Sequence, residues 1–279
     1  MSQTELSPRQ RSFVLATQRF VHWLAKHWLA LANLFILVYV GVTFAAPVFM
    51  KLGWTGPARA IYTVYKPLCH QLAFRSLFLF GEKHFYARAE YEERYGLEDA
   101  AWSDVFIHAR DNIGDETLGY KVAFCQRDIA IYGALFLGGL AFGLLRRRGL
   151  RSMPLWLFIL AGVLPMAIDG GTQFISLVIP GFPTRESVWQ LRIITGALFG
   201  FAIAWLAYPY IQTGMDETRE TLAQRYGWNG QSRSGEATTS RDMVVQLLQD
   251  HGALATSEPK HSPDNASGES TPQPNGDSE

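Results

Sequence analysis

Cys69-His70-Gln71, followed at short range by Arg75-Ser76, concentrates more chemistry than any other stretch of this sequence. It holds one of only two cysteines. The other, Cys125, stands three residues before Asp128, at the threshold of a long apolar segment. Zinc accepts thiolate, imidazole and carboxylate in tetrahedral mixtures, so Cys69, His70, Cys125 and Asp128 form a candidate ligand set. Adjacent Cys69 and His70 reach one metal only if the chain bends there. A disulfide between the cysteines on an oxidising membrane face is the competing arrangement, with His70 as a hydrogen-bond donor. Two unrelated thiols are the third, and spacing alone does not separate the three.

A second group of polar residues lies inside or at the edge of later apolar segments: Asp169, Gln173, Arg192 and Thr195. Ionisable groups at membrane depth face the bundle interior or a wet cavity, and they mark functional sites by default. Asp128 with Tyr132, and Asp169 with Gln173, are i,i+4 pairs on single helix faces. The bland expectation for Asp169 and Arg192 is an ion pair that fixes helix register. Gln173, Thr195 and Arg75 are then interhelical hydrogen-bond donors. The sharper expectation is a metal-dependent hydrolase, with Asp169 or Asp128 as proton acceptor and an arginine meeting developing negative charge. A carrier that binds an anionic head group through Arg75, Arg127 and Arg192 is a second class. A structural subunit of a membrane complex, with a Cys69–Cys125 disulfide, is a third. The sequence names no reaction, no catalytic residue and no particular substrate.

The elements that must position these groups are membrane spans. Trp28 to Met50 is mostly apolar and uncharged, long enough at about 1.5 Å per residue to cross a ~30 Å hydrocarbon core. Its length and extended basic lead-in favour an uncleaved span over a signal peptide. Residues 1–27 are basic with interleaved aromatics, as an interfacial segment would be. Ile129 to Leu145, Pro154 to Ile179 and Val188 to Ile211 are three more spans. Gly139 with Gly143, and Ala134 with Gly138, allow close helix approach. Ala58 to Phe80 contains Arg59, Lys66, His70, Arg75 and Pro67, so it reads as an interfacial or re-entrant segment that does not cross. Residues 82–124 read as a water-exposed polar insertion, helical around Ala87 to Arg94, with His84 and His108 solvated.

The expected fold is therefore all-α: an integral membrane bundle of about four spans over 28–212, with a polar, largely disordered tail over 213–279 that includes a short amphipathic stretch at Met243 to Leu248. The formal net charge of zero gives no reason to expect nucleic acid as a partner. The lipid bilayer is the expected partner, and a lipid or small molecule the expected ligand. Arg146-Arg147-Arg148 and Arg151 form a short basic loop that belongs in the cytoplasm, as does the basic N-terminus. Four crossings of the cell membrane then put both ends in the cytoplasm, and Cys69, His70, Cys125, Asp128, Asp169 and Arg192 toward the outer face.

These residues resemble the motifs of an uncharacterised prokaryotic membrane-protein family known as domain of unknown function 2085. Its Cys-His-Gln and Arg-Ser elements appear as Cys69-His70-Gln71 and Arg75-Ser76, with Ala73 where the family often has proline. Its Cys-x-Arg-Cys-x-Gly-x-Tyr appears as Cys125 to Tyr132, with Asp128 replacing the second cysteine and Ala130 the glycine. Asp169-Gly170-Gly171-Thr172-Gln173, Arg185-Glu186-Ser187 and Arg192 to Gly196 follow in the family's order. The resemblance spans roughly residues 60 to 210. It implies a membrane location and a shared core, and it implies no activity.

Overall fold

A computed structural model describes residues 7–179 and 185–228. The chain begins with a single helix, α1 (Pro8–Lys51). Ser7 and Gln10 cap it reciprocally and Pro8 occupies its first turn. No helix breaker separates the basic lead-in from the apolar run, so the described part of the N-terminal segment continues the span as one helix. The other long helices are α5 (Gln126–Leu145) and α8 (Trp189–Tyr226). A composite third span starts as α6 (Leu155–Leu157), widens into a π-helical turn over Phe158–Val163 and continues as α7 (Leu164–Val178). The π turn sits just ahead of Pro165, whose missing N–H and ring disrupt the regular ladder.

Among the described residues, four helices are thus long and apolar enough to cross a membrane. They leave large apolar side chains such as Phe35, Leu137, Leu144 and Leu160 exposed, as a surface meeting lipid requires. The helical membrane bundle expected from the sequence is the architecture observed. α8 runs on through Pro209 and Gly214 to Tyr226, well past residue 212. The end of α8 belongs to a second compact unit beginning at Ala223, in which the ring of Trp228 stacks on Tyr226. The expected tail beyond residue 228, with its amphipathic stretch, lies outside the described residues.

Small residues set the spacing of the spans. A Cβ on Gly139 would lie 2.2 Å from Asn33 Oδ1 of α1, and one on Gly138 would lie 2.6 Å from the Ala204 Cβ of α8. α5 is therefore pressed between α1 and α8, which is the close approach expected from its glycine pattern.

Between α1 and α5 no described helix is long and apolar enough to cross. α2 (Thr55–Tyr65) has 11 residues, too few to span. The segment after it forms part of a small sheet that the all-helical reading did not place. β1 (Ser76–Leu79), β2 (Gly114–Asp115) and β3 (Gly119–Cys125) pair antiparallel in the order β1-β3-β2. The hairpin between β2 and β3 is closed by Asp115, whose Oδ1 accepts from Thr117 N and Leu118 N at 2.8 and 2.7 Å. Gly119 at its end has φ +81°, and a Cβ there would strike Leu79 O at 2.5 Å. Two short helices, α3 (Arg88–Tyr95) and α4 (Trp102–Asp111), cover this sheet and share a core of Phe74, Phe78, Tyr91, Val105 and Leu118.

The insertion is therefore a packed subdomain rather than a solvated loop. Lys121 is fully buried, with Nζ donating to the carbonyls of Gln71, Ala109 and Arg110. His108 Nδ1 lies 2.9 Å from the Tyr91 hydroxyl, and the exposed His84 still holds Phe78 O at 2.9 Å through Nδ1. Neither histidine is simply solvated.

A Cys/Asp group beside an arginine-lined cavity

The sheet brings the two cysteines together. Cys69 follows the last turn of α2, its N–H bonded to Tyr65 O at 3.0 Å. Gln71 then adopts φ +54°, a left-handed conformation unusual for a side chain with a Cβ. Two hydrogen bonds hold it there: its carbonyl accepts Lys121 Nζ at 2.7 Å, and Nε2 of its buried side chain donates to Tyr62 O at 3.0 Å. After this bend the chain enters β1, where Ser76 pairs with Cys125 at the end of β3. Cys125 is also the residue that caps α5, and Asp128 lies in the first turn of that helix, where a carboxylate suits the dipole.

Ligand atoms of Cys69, Cys125 and Asp128 all lie within 4.8 Å of one another. Cys125 N–H reaches Cys69 Sγ at 3.3 Å, and Cys125 Sγ reaches Asp128 Oδ2 at 3.2 Å. The two sulfurs are not joined in this structure. The hydrogen bond with Cys125, then burial, push the Cys69 thiol above its ordinary pKa. A bound cation would reverse this preference, because it takes thiolate and displaces the proton. His70, the fourth expected ligand, is not part of the group. The bend that buries Cys69 leaves His70 exposed, its ring edge-on to Phe106 at 6.0 Å.

The group opens onto a cavity of about 470 Å³. Arg75, Arg127 and Arg192 line it with Gln173, while Trp102, Phe106, Met166 and Phe174 supply apolar wall. Two carboxylates hold the arginines from behind without reaching the cavity wall. Glu186 receives Arg75 Nε at 2.7 Å and Nη2 at 2.8 Å, Gln173 Nε2 at 2.8 Å, and Arg192 Nη2. Asp169 is bound by Arg127 Nη2, by Arg185 Nη2 at 3.2 Å and by Ser187 Oγ at 2.9 Å. Arg192 also donates to Gln126 Oε1 at 3.0 Å and Phe74 O at 3.2 Å. The Nε atoms of Arg127 and Arg192 are buried without a partner.

The Asp169–Arg192 pair expected from depth is absent; each charge has taken a different partner. Thr195 is no interhelical donor either, since its Oγ1 bonds back to Leu191 O of its own helix at 2.8 Å. Tyr132 packs with Tyr39 and Phe124 away from the cavity wall, its ring 5.1 Å and 5.7 Å from theirs. Gln71 serves as the bend that presents Cys69. Glu186, Arg185, Ser187 and Gln126 were not anticipated as members of the polar cluster. The signal for three of them was present: an Arg-Glu-Ser run at the entrance of a span, within one of the resemblance motifs.

The arrangement defines a multi-pass helical membrane protein with a charged cavity at one end of its bundle. The family model described as "Predicted membrane protein (DUF2085)" matches residues 116–206, so the resemblance is borne out over the motifs from Cys125 onward. Cys69-His70-Gln71 lies ahead of the matched residues. An uncharacterised protein of Methanocaldococcus jannaschii is 26% identical over 189 residues, an alignment covering 66% of this chain and 92% of that protein. No solved structure matches the chain.

Proposed function

We propose that the cavity is a membrane-surface site in which Cys69, Cys125 and Asp128 hold zinc and the arginines receive the anionic group of a lipid or small polar substrate. The sorting of charge carries this reading. Glu186 and Asp169 are saturated behind the wall, whereas Arg75, Arg127 and Arg192 stand on it beside the Cys/Asp group. Three protein ligands leave a fourth tetrahedral position for water, the pattern of catalytic rather than structural zinc. Zinc held there would acidify such a water to a pKa of about 7 and so supply a nucleophile. Arginine donors close by would stabilise negative charge developing on an ester or phosphoryl oxygen. Asp169 is fully engaged by its partners and supports the arginines. Among cavity residues, His70 is the accessible proton acceptor.

The positive-inside rule orients the molecule. With the Arg146–Arg151 loop and the basic N-terminus in the cytoplasm, the cavity faces the outer side of the cell membrane. A second reading rests on the unpartnered Nε atoms of Arg127 and Arg192: a non-enzymatic carrier of an anionic head group needs them and no metal.

Elemental analysis and thiol titration of detergent-purified protein test the proposal. The expected result is about one zinc per chain, lost in Cys125→Ser and Asp128→Ala and kept in Arg192→Gln. Anionic-lipid binding should fall in Arg192→Gln. Absence of zinc with lipid binding intact would leave the carrier. Absence of zinc and of free thiols before reduction would mean a disulfide, and the metal site would be wrong.

A further inference from the structure

The opposite end of the bundle carries a second built feature. A groove of about 270 Å³ lies between α5 and α8. Gly138 and Ala204, in close contact, form its floor, and Phe142, Phe201, Leu145 and Trp205 its walls. No charged side chain lines it. Leu145 and Leu150, which line it, flank the basic Arg146–Arg148 turn in sequence.

That loop is fastened in place. Pro209 has no N–H to offer the carbonyl of Trp205 four residues earlier in α8. Met153 N–H takes that carbonyl instead, at 3.3 Å. Ser152 Oγ donates to Leu206 O at 2.5 Å, and Trp205 Nε1 donates to Arg151 O at 3.2 Å. The arginines themselves sit in a short 3-10 turn, Arg146–Arg148, closed by Gly149 at φ +67°. Arg146, Arg147, Arg148 and Arg151 are all exposed, and none is ion-paired among the described residues.

We infer that this groove binds a single anionic phospholipid, with one acyl chain between α5 and α8 and the phosphate among the four arginines. Four exposed arginines without ion pairs, in the loop that supplies Leu150 to an apolar slot and is bonded to α8, match an amphiphile with a negative head. A zwitterionic lipid satisfies the slot but not the charges. Sidedness alone requires basic residues in the loop; it does not require that the loop be bonded to α8 beside an open groove. Arginines near a membrane surface attract anionic lipid, and four in one place add to one another.

The test uses full-length protein in phosphatidylcholine vesicles doped with brominated-chain phosphatidylglycerol or brominated-chain phosphatidylcholine. Trp205 emission, taken as the difference between the parent chain and Trp205→Phe, reports chain occupancy of the groove. Half-maximal quenching is expected at a several-fold lower mole fraction of phosphatidylglycerol. Replacing the four arginines by glutamine should erase that preference. So should Ala141→Phe, which fills the groove from α5. Raising the salt concentration should weaken the preference in the parent chain without any substitution. Equal quenching by the two lipids, or a preference that survives arginine removal and salt, overturns the inference. A Trp205 that neither lipid quenches would mean protein covers the groove, which overturns it equally.

Discussion

Arg75 closes on Glu186 through two parallel hydrogen bonds, Nε to Oε1 at 2.7 Å and Nη2 to Oε2 at 2.8 Å, across a separation of 111 residues. This fork ties the Cys69 segment to the entrance of α8, and Arg192 shares the same carboxylate. Removing one member of a largely buried pair strands the other, at a cost of about 3–5 kcal/mol. Glu186→Gln is therefore expected to lower thermal stability in detergent sharply. Double-mutant cycles should give clear coupling for Arg75 with Glu186 and for Arg127 with Asp169, and less for Asp169 with Arg192. Strong coupling in the last pair would mean the assigned partners are wrong.

The spans were legible because apolar length is a property of the local sequence. That Ala58 to Phe80 forms no helix of spanning length was legible for the same reason, from Arg59, Lys66 and Pro67. Partner choice was not. Depth places Asp169 and Arg192 at one level, but four arginines compete for two carboxylates, and loop geometry decides the pairing. The sheet was hidden by Lys121, which makes β3 read as polar. Its burial depends on carbonyls 50, 12 and 11 residues away, which no window of sequence displays. His70 failed as a ligand because the Gln71 bend, itself set by Lys121, turns only Cys69 inward.

Lys121 gives a pH signature. Burial pushes its pKa from 10.5 down to about 7. Between those values the unfolded chain carries more protons at this site than the folded one, so its contribution to stability rises with pH. The parent chain, measured relative to Lys121→Met, should gain thermal stability from pH 7 to pH 9.5. The variant serves as the reference because cysteines and tyrosines titrate in the same range. A flat or falling difference would show that the buried ammonium keeps its proton through this range.

Gly139 is where α5 meets Asn33 of α1, with no room for a Cβ. Gly139→Leu should destabilise by roughly 1–3 kcal/mol or more, the cost of overpacking a close helix contact. Gly133→Ala on the same helix has open space and should be nearly neutral. Thermal melts of the two variants side by side distinguish a tight α1–α5 contact from a loose one; equal melting points would refute it.

The proposed sidedness rests on all four candidate spans crossing. Glu98 belongs to the insertion between α1 and α5, and Gly149 to the basic loop between α5 and α6. Cysteines introduced singly at these positions should react with a membrane-impermeant reagent from opposite sides in intact cells, position 98 from outside. The parent chain controls for its two native cysteines. Labelling of both positions from one side would remove the four-span arrangement and the outward cavity together.

Asp128 is the most informative single residue, because it stands where the family resemblance places a cysteine. Its carboxylate already lies against Cys125 Sγ, in the first turn of a helix that fixes its direction. Replacing it with cysteine keeps a short side chain on the same face and exchanges a hard oxygen donor for a softer thiolate. Zinc forms strong bonds to thiolate, so Asp128→Cys should bind zinc more tightly than the parent chain when the two compete with a chelator. Asp128→Ala should bind it more weakly, while thermal stability without metal changes little. The three proteins then order as cysteine, aspartate, alanine in affinity. A disulfide between Cys69 and Cys125 forecasts otherwise: no stoichiometric zinc in parent or alanine variant, no thiols titratable before reduction, and no dependence of either result on residue 128.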